Sequence, residues 1–126
     1  HDDRSPSLEQ LREAWAPHKQ QLKQLSYKNE KQIVFTEYGY RNTDYAAKQP
    51  WDSSREITSV NDKLQSDALL ALYQEFWKED WFLGGFLWKW FHDIDRVGRM
   101  ENNQFTPQNK PALETVRSFY GEMLRN

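Results

Sequence analysis

With 126 residues, 17 basic against 19 acidic side chains and a formal charge of −2, the chain has room for one modest domain and lacks the positive excess that a phosphate backbone or an anionic membrane demands. It contains no cysteine, which excludes a disulfide framework, a thiolate nucleophile and a thiolate-bound metal. Its 6 Trp, 6 Tyr and 7 Phe stand in a chain of mean hydropathy −1.02, so some of these rings are expected to serve something other than packing.

Ser7-Leu8-Glu9-Gln10 has the form of a capping box, after which Leu8, Leu11, Trp15, His18, Leu22 and Leu25 recur at spacings of three and four. This is an amphipathic helix, with a kink or restart expected at Pro17 and an end near Lys28. Lys31 to Thr36 (KQIVFT) is a β-branched and aromatic run without polar alternation, as expected of a strand buried on both faces, and it runs directly into Glu37. Residues 38 to 58 lack periodicity and hold Gly39, Pro50 and several turn formers, so they read as a long loop; a loop that long is usually functional or disordered. From about Val60 a second helix is marked by Leu64, Ala68, Leu69, Leu72, Phe76 and Trp77. Gly84-Gly85 opens a second strand, Phe86 to Trp90, and a polar loop follows. Pro111 then starts a last helix with Leu113, Val116, Tyr120 and Leu124 inward.

Helix, strand, helix, strand, helix contains one βαβ unit, which implies two parallel strands with a right-handed crossover and places the chain in the α/β class. Two strands neither close a barrel nor cover their own faces and edges, so the chain is expected to be part of a larger domain. Periodicity alone leaves a piece of a barrel and a piece of an open doubly wound sheet equally open. No apolar run approaches the roughly 18 residues of a membrane span. His1-Asp2-Asp3-Arg4 is no secretion signal, so targeting is unreadable and an extracytoplasmic location stays open.

Parallel α/β folds carry their reactive residues at the C-terminal ends of strands and in the loops beyond, where Glu37 and the stretch Trp88 to Phe91 lie. A carboxylate at the end of a buried strand is costly unless paired or used. An ion pair with Arg41 or Lys89 and a catalytic role are, on pattern alone, level readings. Tyr38, Tyr40, Trp51, Trp88 and Trp90 also fall on this rim, and rings there suit the C–H faces of sugars, although strand alternation would turn one of Trp88 and Trp90 away from a pocket. Trp77 and Trp81 read as packing. Asp93, Asp95, Gly98 and Glu101 resemble part of a calcium loop, but Val97 stands where an oxygen ligand is wanted, so a solvated loop is the better reading. His18 reads as structural, His92 as able to bond a substrate, and three scattered histidines make no zinc site. Gly84-Gly85 precedes the strand and cannot cradle a phosphate; no serine elbow exists, and neither a metal nor another cofactor is expected.

Four blocks, VFTEYGYR (34 to 41), KQPWD (48 to 52), WFLGGFLWKWF (81 to 91) and FTPQNKPALETV (105 to 116), resemble in order and spacing the last third of family 113 glycoside hydrolases. These are the β-1,4-mannanase family of the (β/α)8-barrel glycosidase clan. The resemblance implies that residues 1 to 126 form the C-terminal segment of a single TIM-type barrel, about strands 7 and 8, with the remainder of that barrel outside the sequence. It makes Glu37 the nucleophile of a retaining mechanism on an oligo- or polysaccharide, β-1,4-mannan in that family's pattern, and Trp88 the platform beneath the sugar. Tyr40, Arg41, Trp51 and Trp90 become the surrounding pocket or its support. Double displacement needs a second carboxyl group about 5–5.5 Å away. In the clan that acid/base Glu comes from the fourth strand, which this sequence does not contain. Asp52, Glu56, Asp93 and Asp95 are assigned to substrate contact or solvent. The competing readings are a non-catalytic carbohydrate-binding fragment that uses the rim aromatics, and a plain α/β scaffold.

Overall fold

The computed structural model describes residues 3–99 and 102–125. In chain order they form α1 (Leu8–Asn29), β1 (Ile33–Tyr38), α2 (Asp62–Phe76), β2 (Phe82–Leu87), a 3-10 turn at Ile94–Arg96 and α3 (Ala112–Arg125). The expected order of elements is observed, with the 3-10 turn added inside the polar loop. β1 and β2 pair in parallel, Ile33 opposite Phe82 and Tyr38 opposite Leu87, and α2 is the crossover between them.

α1 begins at a reciprocal capping box: Ser7 Oγ accepts from the Gln10 N–H at 3.2 Å, and Gln10 Oε1 accepts from the Ser7 N–H at 2.9 Å. Glu30, at φ 52°, ends it in the left-handed region. The restart expected at Pro17 does not occur, and the helix is continuous over 22 residues. Pro17 and Glu13, whose carbonyl loses its N–H partner, both lie on the exposed side, where an orphaned acceptor costs little.

One face of the sheet packs on the helices through rings. Phe35 of β1 meets Trp15 of α1 at 6.4 Å between centroids, Phe76 of α2 at 5.3 Å and Phe82 of β2 at 4.9 Å. Trp77 and Trp81 are buried in the same layer, as expected of packing residues. At the C-terminal end of β1, Tyr38 packs edge-on against Tyr73, and its hydroxyl lies 3.0 Å from those of Tyr73 and Tyr120. Burial, first of all, holds the Tyr38 and Tyr73 phenols far above the ordinary phenol range. The other face of the sheet carries Val34, Leu83 and Phe86, all exposed, Phe86 by 68%. Within the described residues β1 is covered on one face only: its inner residues alternate with bare ones because helices cover one side.

β2 also departs from expectation. It starts at Phe82 rather than Phe86 and ends at Leu87, so Gly84-Gly85 lie inside the strand and Trp88 and Trp90 beyond it. Gly84 takes φ 123° at a shift of register, and a Cβ on Gly85 would stand 2.9 Å from the Tyr38 ring and 3.0 Å from the Phe35 carbonyl. Glycines in a strand mark such irregularities and close approaches, a meaning that placing them before the strand misses.

α2 buries Leu64, Ala68, Leu69, Leu72 and Phe76 as its periodicity predicts, starting at Asp62 because Asn61 caps it by accepting from the Leu64 N–H. α3 buries Ala112 and Val116 and packs Phe119 on the core, a contact the sequence reading missed. Tyr120, 40% exposed, reaches inward through its hydroxyl and an edge contact with the Tyr73 ring, and the Leu124 side chain lies outside the described residues.

Candidate active site

Glu37 is the penultimate residue of β1, within the strand rather than just after it, and its side chain is exposed. It has no hydrogen-bond or ion-pair partner among the described residues. The two cations that a structural ion pair would use are engaged elsewhere. Arg41 is only 2% exposed; its Nε donates to the Asn103 carbonyl at 2.8 Å and its Nη1 to the carbonyls of Ser54 at 2.8 Å and Asp52 at 3.2 Å. Lys89 places its ammonium over the rings of Trp88 and Phe91, 5.3 and 4.5 Å from their centroids. A carboxylate left free at a strand end is available for chemistry in a way that a paired one is not.

The segment after β1 folds back over the ends of the helices and forms one wall of a groove of about 530 Å³. Glu37, Tyr40 and Trp51 line it from β1 and the loop; Trp15, His18 and Leu22 line it from α1. Trp51 is the most exposed ring of the set, at 76%. Tyr40, expected in the surrounding pocket or its support, lines the groove while being itself buried; burial pushes its pKa up to about 12. Arg41, expected in the same set, serves the loop from within. Arg41 is drawn inward because a long excursion from a strand end must satisfy its own backbone, and its guanidinium does so. His18 and Trp15, read as structural from helix spacing, prove to border the groove, because the length of α1 carries its second and third turns alongside the end of β1.

Trp88 and Trp90 do not line this groove. They follow β2, 45% and 53% exposed, with the Trp88–Lys89 peptide cis. The ends of the two strands are nevertheless locked together. The Trp88 N–H donates to the Tyr38 carbonyl at 2.6 Å, and a Cβ on Gly39 would stand 1.9 Å from the Trp88 carbonyl oxygen. Gly39→Ala is therefore expected to push the Trp88 segment away from β1, costing about 1–3 kcal/mol of stability as overpacking does. Thermal melting of the variant checks this, and a wild-type midpoint would refute the contact.

Beneath the rim lies a polar network that the sequence reading missed. Asn42 is buried; its Nδ2 donates to Asp62 Oδ1 at 2.8 Å and to the Asn102 carbonyl at 2.7 Å, and its Oδ1 accepts from Lys110 Nζ at 3.0 Å. Lys110 Nζ also donates to the Gln104 carbonyl at 2.7 Å. Burial pulls the Lys110 pKa down to about 8 from an ordinary 10.5, with Asp62 opposing the shift and Arg41 adding to it. Between those two values the unfolded chain binds the proton that the folded chain has lost, so stability is expected to rise with pH from 8 toward 10. Above an ordinary phenol pKa of 10.0 the raised tyrosines act in the opposite sense. Chemical denaturation of the wild type and Lys110→Met at several pH values checks this, since the rising limb should flatten in the variant.

Among the described residues no group of His, Asp or Glu could hold a metal ion. Asp93 pairs with Arg96 at 3.1 Å, His92 is exposed, and Glu101 lies outside the described residues. The Asp52 carboxylate caps the Ser54 N–H at 2.8 Å, while Asp95 and Glu56 are exposed. No described helix is long and apolar enough to cross a membrane.

Residues 4–110 match the model of Glycoside Hydrolase Family 113. No curated protein matches the chain. Among solved structures, the chain is similar to the family 113 β-mannanase AaManA from Alicyclobacillus acidocaldarius in complex with ManMIm, at 23% identity and a TM-score of 0.73, over 87% of this chain and 36% of that one. It is also similar to a family 113 β-1,4-mannanase solved as a complex, at 18% identity and a TM-score of 0.75, over 95% of this chain and 37% of that one. At these identities the likeness is one of fold, a mixed α/β piece of the TIM-barrel architecture. The chain spans little more than a third of the length of either structure.

Proposed function

Because the chain belongs to glycoside hydrolase family 113, we propose that it is the C-terminal part of a (β/α)8 barrel that hydrolyses β-1,4-mannan with retention, β1 and β2 being strands 7 and 8. Glu37 is the nucleophile. Trp88 is the platform beneath the sugar at the point of cleavage, with Trp51 and Trp90 as outlying stacking surfaces and Tyr40 and Arg41 as supports. The acid/base carboxylate comes from an earlier strand, outside this sequence, and stands about 5–5.5 Å from Glu37.

The observation that carries this reading is an exposed carboxylate at the C-terminal end of a parallel strand, with both nearby cations committed to other partners and a ring-lined groove beside it. The bare apolar face of the sheet and the outer edge of each strand, unpaired among the described residues, support a larger barrel around it.

The test is to incubate the full-length protein with β-1,4-mannan and follow the anomeric protons of the first products by NMR. Release of oligosaccharides that appear first as the β-anomer supports a retaining mannanase. First appearance of the α-anomer overturns the nucleophile. No release, together with a sugar-induced change in Trp fluorescence, favours a binding role that leaves Glu37 without chemistry.

A further inference from the structure

The block 105 to 116 carries part of the family resemblance yet contributes no residue to the site just described, and its middle holds several buried polar residues. Thr106 and Gln108 have no exposed surface, and Lys110 has almost none. Such burial is costly unless every polar atom is used, and here the partners lie on the rim. Gln108 Oε1 accepts from the Phe91 N–H at 2.7 Å, and Gln108 Nε2 donates to the Phe91 carbonyl at 2.9 Å. One amide thus grips both backbone groups of one residue, as a neighbouring strand would. Thr106 Oγ1 orients that amide, donating to Oε1 at 2.9 Å and accepting from the Gln108 N–H at 3.2 Å. A Cβ on Gly98 would stand 1.5 Å from the Gln108 carbonyl oxygen, so the turn is pressed home from the other side too. Two residues on, Lys110 Nζ reaches Asn42 in the segment after β1.

We propose that Gln108 and Lys110 are positioning residues that fix the spacing between the two halves of the rim. Gln108 holds Phe91 and, through Lys89 stacked between the Phe91 and Trp88 rings, sets the Trp88 platform. Lys110 holds Asn42, on the segment that leaves Glu37. Neither residue touches the reacting atoms. The function of this brace rests on the reading of Glu37 and Trp88 as a glycosidase site.

The experiment uses full-length protein labelled with 5-fluorotryptophan, the Trp88 signal being assigned with Trp88→Phe. Wild type should give one narrow 19F resonance for Trp88, and Gln108→Leu a shifted or broadened one. With β-1,4-mannopentaose as substrate, the KM of Gln108→Leu should rise about tenfold, as expected when a buried hydrogen-bond pair is broken, with a smaller change in kcat. Gln108→Glu supplies a readout that a purely structural role would not move. As a carboxylate it still accepts from the Phe91 N–H but has no proton for the Phe91 carbonyl, so its activity relative to wild type should recover as the pH falls and the acid is protonated. It also keeps the proposal testable should Gln108→Leu not fold. An unchanged Trp88 resonance with wild-type kinetics, or a pH-independent ratio for Gln108→Glu, overturns the brace. If the wild type releases no sugar from mannan, the glycosidase reading fails by itself, and the 19F signal still decides whether Gln108 holds Trp88.

Discussion

Glu37→Gln in the full-length protein is expected to lower turnover of β-mannan by on the order of 10³-fold or more, because an amide keeps the shape of the nucleophile but cannot attack the anomeric carbon. The fold should not register the change. Glu37 is exposed and bonded to no described residue, so stability should stay within about 0.5 kcal/mol of wild type. Oligosaccharide binding, followed by Trp fluorescence, should be largely retained. The three measurements separate the readings: a large kinetic loss with intact melting and binding marks a catalytic carboxylate, a large stability loss marks a structural one, and activity within a few-fold of wild type removes Glu37 from the mechanism.

The second large effect belongs to Trp88. If its ring is the platform under the sugar, Trp88→Ala should lower kcat/KM by on the order of 10²-fold, an interaction worth a few kcal/mol in the transition state. A core tryptophan would instead cost ~3–5 kcal/mol of stability. At 45% exposure, with one contact face shared with the Lys89 ammonium, Trp88 has little core to lose, and its loss should be mainly kinetic. Collapse of stability with normal kinetics in the surviving folded protein would show the platform assignment to be wrong.

Elements defined by local chemistry were legible in the sequence. The capping box of α1, the apolar face of α2 and the parallel pairing implied by strand, helix, strand are all present, because each depends on spacing within a few residues. β2 was misplaced because its glycines were placed before the strand, whereas their purpose is tertiary: Gly85 makes room for Phe35 and Tyr38. The strand-end position of Glu37 followed from the apolar run before it, but its freedom from Arg41 did not. That depended on where Asn103 and Ser54 present their carbonyls, contacts 62 and 13 residues away along the chain. The network of Asn42, Gln108 and Lys110 was hidden for the same reason. Polar residues in a polar loop carry no mark that says they will be buried.

The hydroxyls gathered on Tyr38 also bear on what an optical titration of this protein reads. Phenols count themselves in base by the near-ultraviolet absorbance of their anions, yet Tyr38 and Tyr73 are walled off from water and already share their protons with one another. In the folded chain they stay dark while the pH climbs, and their share of the signal arrives only when the end of β1 comes apart. The last part of the alkaline absorbance change, rather than its total over all 6 Tyr, therefore reports on the joint between sheet and helices at the end of β1, next to Glu37.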